Sequence, residues 1–101
     1  MFERKDLSKD EVLLSVIGPL DGETTAEFHR QVEELANASY AIISLDLSRT
    51  VSIGSSALGK ILLFKKKLAE TQRTLQIRGC SDNLFKTFQM IKFDTLMSIK
   101  Q

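Results

Sequence analysis

The chain has 101 residues, 43% of them hydrophobic and 27% charged, which suits one globular domain (1–101) with a single core and excludes disorder. A formal net charge of +1 excludes a global drive toward nucleic acid or a membrane surface, so any charge recognition must be local. Cys80 is the only cysteine, which excludes an intrachain disulfide and a cysteine-based metal site.

The first ten residues mix charge with apolar positions and lack the core of a signal peptide. No apolar run nears the roughly 18 residues of a membrane span. Both features point to a cytoplasmic protein without direct membrane insertion. Phe2–Leu7 and Val12–Ile17 read as two strands joined by a polar turn at Ser8, Lys9 and Asp10. Gly18 and Pro19 end the second run, because proline lacks the donor that a sheet interior needs. Thr24 followed by Glu27 reads as a capping box, and Phe28, Val32, Leu35 and Ala36 then repeat at helical spacing. Asn37 to Ser39 closes that helix.

Tyr40–Leu47 is nearly unbroken in apolar residues, which predicts a central strand covered on both faces. Ser48–Gly54 reads as a loop. A second helix, Ala57–Thr71, places Ala57, Leu58, Ile61, Leu62 and Leu68 on one face. Leu75 and Ile77 belong to a short strand ending at Gly79. Ser81 is the expected N-cap of a third helix with Leu84, Phe85, Phe88 and Ile91 at helical spacing. Thr95–Ile99 reads as a last short strand. Strands interleaved with helices, in the order ββαβαβαβ, predict an α/β fold. Its sheet is mixed, of about four to five strands, with the helices packed against it.

Few residues form a catalytic constellation. His29 lies four residues before Glu33 on the first helix, but a metal site needs three or four ligands and no others are at hand. Cys80 sits at a strand-to-helix turn, where a helix terminus can lower a thiol pKa. With no second cysteine and no histidine near it in sequence, it reads as a buried or idle thiol. Asp46 and Asp21 could pair, yet no nucleophile, base and oxyanion donor assemble around them. Gly18–Gly22 lacks the spacing of a phosphate-binding fingerprint. The chain is therefore not expected to be an enzyme, and no cofactor or metal is expected.

The second helix carries Lys60, Lys65, Lys66 and Lys67. At about 100° per residue, Lys60 and Lys67 share the side away from the core, with Leu63 beside them. Two readings stand: a solvated basic face, or a docking surface for an acidic partner. Nucleic acid is not expected, since basic excess and aromatic interleaving are both missing. Ser55 and Ser56 open this helix. One serine suffices as a cap, so the pair reads either as capping or as a phosphorylation site at a positive helix end.

In the stretches GPLDGETTAEFHRQV, LDLSRTVSIGSSALGKILL and IRGCSDNLFKTFQMIKFDTLMSI, the chain resembles the STAS domain family, the bacterial anti-sigma factor antagonists. The likeness covers nearly the whole chain. It implies a STAS-like mixed sheet and a switch by partner exchange. The unphosphorylated antagonist binds an anti-sigma factor that is also a GHKL-type serine kinase, which frees a sigma factor for transcription. The kinase phosphorylates the first serine of the pair, here Ser55 (Ser56 being the second choice), and a serine phosphatase resets the switch. The implied partner face comprises Gly54, Ser55, Ser56, Lys60, Leu63 and Lys67, with loop contacts at Asp21 and Thr24. Gly54 stands where the family usually has Asp, and Ala57 where it usually has Gly. Some STAS proteins are instead fixed scaffolds, such as small subunits of lipid ABC transporters, and others bind small molecules or nucleotides. The expected state is a monomer or a weak dimer.

Overall fold

Alternating burial builds the main sheet of the protein, a computed structural model describing residues 1–101. In β2 (Glu11–Val16) the residues Val12, Leu14 and Val16 are buried, and the residues between them point to the other face. β4 (Ile42–Leu47) does the same with Ile43, Leu45 and Leu47. With β1 (Phe2–Asp6) and β6 (Thr74–Cys80) they form a four-stranded sheet in the order β1-β2-β4-β6. β1 runs antiparallel to β2, and the two other pairings are parallel.

The apolar face packs on α1 (Gly22–Ala36), α2 (Ser55–Ala69) and α3 (Asp82–Met90). Phe28, Phe64 and Phe88, one from each helix, are fully buried; burying a side chain of this kind contributes about 1.5–3 kcal/mol. The opposite face is polar, not apolar as the run at Tyr40–Leu47 suggests. There Ser44 donates to Glu11 Oε2 at 2.7 Å, Gln76 donates to Ser44 at 2.9 Å, and Arg78 donates to Glu11 at 3.0 Å. Ser44 is fully buried under this cover, so β4 is enclosed on both faces by different chemistry.

Four expectations need correction. The run Val12–Ile17 does end before Gly18, but Gly18–Leu20 then forms a further strand, β3, which pairs in parallel with β5 (Thr50–Ile53), within the segment read as a loop. Gly18 takes φ +96°, which turns the chain out of β2 into this second, two-stranded sheet. The first helix is capped one turn earlier than the Thr24–Glu27 pattern implies. Asp21 is its N-cap, and Thr24 Oγ1 accepts the Asp21 N–H at 2.9 Å, while Glu27 accepts from Arg30 and Gln31. On α2 the buried stripe is Ala57, Ile61, Phe64 and Leu68, with Leu58 and Leu62 only half-buried. Two turns bring Phe64 back to within about 20° of Ala57. Last, Thr95–Ile99 is not a strand: Phe93–Thr95 is a 3-10 turn, and only a single bridge, Ile77 to Ile99, joins the tail to β6. Ser81 does cap α3, accepting from the Leu84 N–H at 3.2 Å.

The turn from β4 into β5 is held by Asp46. Its carboxylate accepts the Ser48 N–H at 3.0 Å and the Ser48 hydroxyl at 2.6 Å. Burial alone would raise the Asp46 pKa; the two Ser48 hydrogen bonds, with Arg49 and Ser15, outweigh it and hold the pKa below the usual value. A Cβ on Gly79 would lie 3.0 Å from Asp46 Oδ1, so β6 passes close against the carboxylate that holds this turn.

Three substitutions probe these local constraints. Gly18→Ala should cost about 1–2 kcal/mol in denaturant unfolding, because alanine is strained at positive φ. Gly59→Ala, on an exposed and open part of α2, should instead add about 0.5–1 kcal/mol. Asp46→Asn should lower stability at neutral pH by about 1 kcal/mol, roughly 4–8 °C in Tm. Because the folded pKa is depressed, the wild-type advantage holds above the ordinary carboxylate range. It should fade as pH falls through the folded value, which thermal melts across an acid series would read.

Candidate functional site

β3 and β5 are parallel neighbours, and each runs directly into a helix. Leu20 leads to α1 and Ile53 leads to α2, so both helix N-termini lie at the same corner. The Gly54 N–H donates to Leu20 O at 2.9 Å and closes the pairing. Gly54 is the N-cap of α2 with φ −84° and ψ 161°, extended backbone open to any residue, and it provides no side-chain cap. Ser55 and Ser56 therefore occupy the first two helical positions. Neither caps the helix, which corrects the capping reading, and both are exposed. The first turn of α2 holds no acidic residue, so no acidic side chain of that turn offsets its positive end.

Ala57, two residues after Ser55, is fully buried. Its methyl belongs to the core, so alanine here adds packing at the root of the site. Ser56, Lys60, Leu63 and Lys67 follow one another at helical spacing and share a stripe. Leu63 is 52% exposed, Lys67 is exposed and Lys60 is half-buried. Ser55 lies about 100° round the helix from that stripe, above Gly59, which leaves open space one turn on. The Lys60–Leu63–Lys67 group thus sits beside Ser56 rather than under Ser55.

Charge is divided unevenly over this corner. Five ion pairs all use arginine: Arg4–Glu34, Arg30 with Glu27 and Glu34, Arg49–Glu3 and Arg78–Glu11; His29 contacts Glu33 as well. The four lysines of α2 are in none of them. Asp21 reaches the same corner, since a Cβ on Gly54 would stand 3.3 Å from Asp21 Cβ. Thr24 lies just behind, its hydroxyl spent on Asp21 and Pro19. His29 Nε2 meets Glu33 at 2.9 Å, and the ring tilts onto Phe64 with centroids 5.1 Å apart. This ring contact between the two helices has no signal in the spacing of either one. Cys80 is buried, and burial, aided by Asp82, pushes its thiol pKa up rather than down.

The contact between Asp21 and position 54 makes a direct test. Gly54→Asp would add a capping carboxylate worth only a few tenths of a kcal/mol over glycine, while crowding a second carboxylate against Asp21. The substitution should lower stability by up to about 1 kcal/mol at low salt, and Asp21→Asn in the same chain should restore it. Paired thermal melts at low and high salt check both steps.

A family model described as Mlab, STAS domain, matches residues 3–98. The anti-sigma-B factor antagonist of Listeria monocytogenes is 26% identical over 99 residues, covering 98% of this chain and 87% of that protein. Among solved structures, the unphosphorylated anti-sigma factor antagonist SpoIIAA superposes with a TM-score of 0.84 at 17% identity, covering 100% of this chain and 89% of that one. The phosphorylated form of the Bacillus cell fate determinant SpoIIAA gives 0.78 at 17% identity, covering 100% and 92%. At that identity the structural likeness is one of fold. With the family model spanning the strands, the three helices and the double serine, the chain belongs to the STAS domain family.

Proposed function

We propose that the protein is an anti-sigma factor antagonist, a binding module regulated by phosphorylation of Ser55. In this reading it sequesters an anti-sigma factor that is also a GHKL-type serine kinase, and so frees a sigma factor for transcription. It is the substrate of that kinase and of a serine phosphatase, and not itself an enzyme. Gly54, Ser55, Ser56, Lys60, Leu63 and Lys67 make the partner face, with Asp21 and Thr24 at its edge. The names of the Listeria and SpoIIAA relatives support this role.

One observation carries the reading. Ser55 presents an exposed hydroxyl, unspent on capping, at the first position of a 15-residue helix whose first turn has no acid. A phosphate there adds about −1.5 to −2 charge. The helix end favours such an anion by about 0.3–1 kcal/mol, so the fold tolerates the modification. The cost falls on the complex, where burying an unpaired charge against a partner opposes binding by about 2–5 kcal/mol. A dissociating switch of this kind needs no shape change in the antagonist.

Incubation with the cognate kinase and ATP, followed by mass spectrometry, should label Ser55 alone; label at Ser56 or nowhere would overturn the assignment. Ser55→Glu should keep its melting temperature and lose at least about thirtyfold in affinity for the kinase. Ser55→Ala should still bind. A second reading, a STAS scaffold without a switch, draws on Gly54, which removes the family's acidic residue beside the serine. Pull-down from the host separates the two: a GHKL-type kinase supports the switch, and a transporter ATPase supports the scaffold.

A further inference from the structure

β1 ends the main sheet in the order β1-β2-β4-β6, so its outer side has no strand beside it. On its inner side Met1 exchanges both backbone hydrogen bonds with Ile17, at 3.0 and 2.9 Å, and the Leu7 N–H donates to Glu11 O at 2.9 Å. An antiparallel ladder alternates bonded and non-bonded pairs, so Glu3 and Lys5, in register with Ser15 and Leu13, turn their backbone groups inward as well. Phe2, Arg4 and Asp6 therefore point their N–H and C=O groups outward, and none of these groups has a backbone partner in a turn or loop. Glu3, Arg4, Lys5 and Asp6 are exposed. Such a row of free donors and acceptors is a template for another strand.

The side chains decide which strand. Charge on an edge normally keeps it from pairing at random, but here the order of the signs is self-complementary. Glu3 and Lys5 share one face of the sheet, and Phe2, Arg4 and Asp6 share the other. A second copy laid antiparallel, with Arg4 at the two-fold axis, exchanges backbone hydrogen bonds at Arg4–Arg4 and at both Phe2–Asp6 pairs. It sets each Glu3 against Lys5 of the other copy in the non-bonded pairs, where side chains come closest. Sliding by one bonded step in either direction sets Glu3 against Glu3, or Lys5 against Lys5, and like charges in that position repel. Arg4 is already matched in its own chain by Glu34 at 3.1 Å and Gln31 at 2.7 Å, so the two guanidinium groups at the axis are not left bare. Glu3 meets Arg49 through Oε1 alone, which leaves Oε2 for the incoming lysine. The sign pattern thus selects a single register.

We propose that the β1 edge pairs with the β1 edge of a second copy of this chain, joining the two four-stranded sheets into one. Five residues a side is far short of the roughly 20–30 of a standard interface. The dimer is therefore weak and concentration-dependent, with a Kd on the order of 0.1–1 mM. The pairing uses none of Gly54, Ser55, Ser56, Lys60, Leu63 or Lys67, so it holds whether or not Ser55 is a kinase substrate.

Sedimentation of the full chain from about 0.02 to 1 mM, with NMR shifts followed over the same range, tests the proposal. A monomer–dimer equilibrium is expected, with shifts confined to β1 and strongest at the Phe2, Arg4 and Asp6 amides. Glu3→Lys and Lys5→Glu should each weaken self-association by about tenfold, since each sets like charges opposite one another twice. Mixing the two variants should restore association, because every pair between the copies is then of opposite sign. The double variant should self-associate for the same reason. Lys5→Glu leaves the Glu3–Arg49 pair in place, so its melting temperature should match the wild type while association falls. A chain that stays monomeric at about 1 mM, shifts on another surface, or variants that do not recover on mixing would overturn the pairing.

Discussion

The pairing of β3 with β5 is the constraint on which the rest of the molecule depends. It is a small sheet, three residues against four, and its parallel direction matters more than its length. Because both strands run the same way and each enters a helix at once, the starts of α1 and α2 are brought to one corner. The hydrogen bond from Gly54 N–H to Leu20 O fixes their spacing. Upstream, the positive φ of Gly18 releases the chain from β2, and the Asp46–Ser48 turn delivers it into β5. Each of these elements serves to place Ser55 and Ser56 in the open.

Electrostatics gives that corner its direction. On α1 Glu27 and Glu34 are matched within the helix by Arg30, Glu34 is matched also by Arg4 on β1, and Glu33 contacts His29. On α2 the lysines have no internal partner and the N-terminus has no acid. The unbalanced charge therefore faces outward, and an external carboxylate or phosphate meets no internal competitor for it. Asp21 is the exception, an acid from α1 placed against Gly54. A second acid at position 54 would crowd it, which makes physical sense of glycine where the family usually carries aspartate.

The legible parts of the chain were those written in local chemistry. The period of the first helix, the Ser81 cap and the strand runs of β2 and β6 depend on neighbours within a few residues, and they read correctly. β3 and β5 did not, because three or four residues with a proline carry no period, and their pairing joins segments some 30 residues apart. Phe64 was missed for a related reason: in a helix rich in leucine, many apolar stripes can be drawn, and the sheet beneath selects one. The tail misread at Thr95–Ile99 has strand-like composition but only one residue's worth of pairing.

For the site, the double serine and the basic stripe were visible from sequence, since a serine pair before a helical period and lysines at helical spacing are local patterns. The sequence by itself determined the α/β class, the three helices, the buried cysteine and the serine pair that opens α2. Tertiary structure decided the rest: that glycine and not serine caps α2, that Asp21 shares its corner, and that β1 forms an open edge of the main sheet. The reason is physical. Periodicity and capping act along the chain, whereas the meeting of two helix ends is set by hydrogen bonds between strands far apart in sequence.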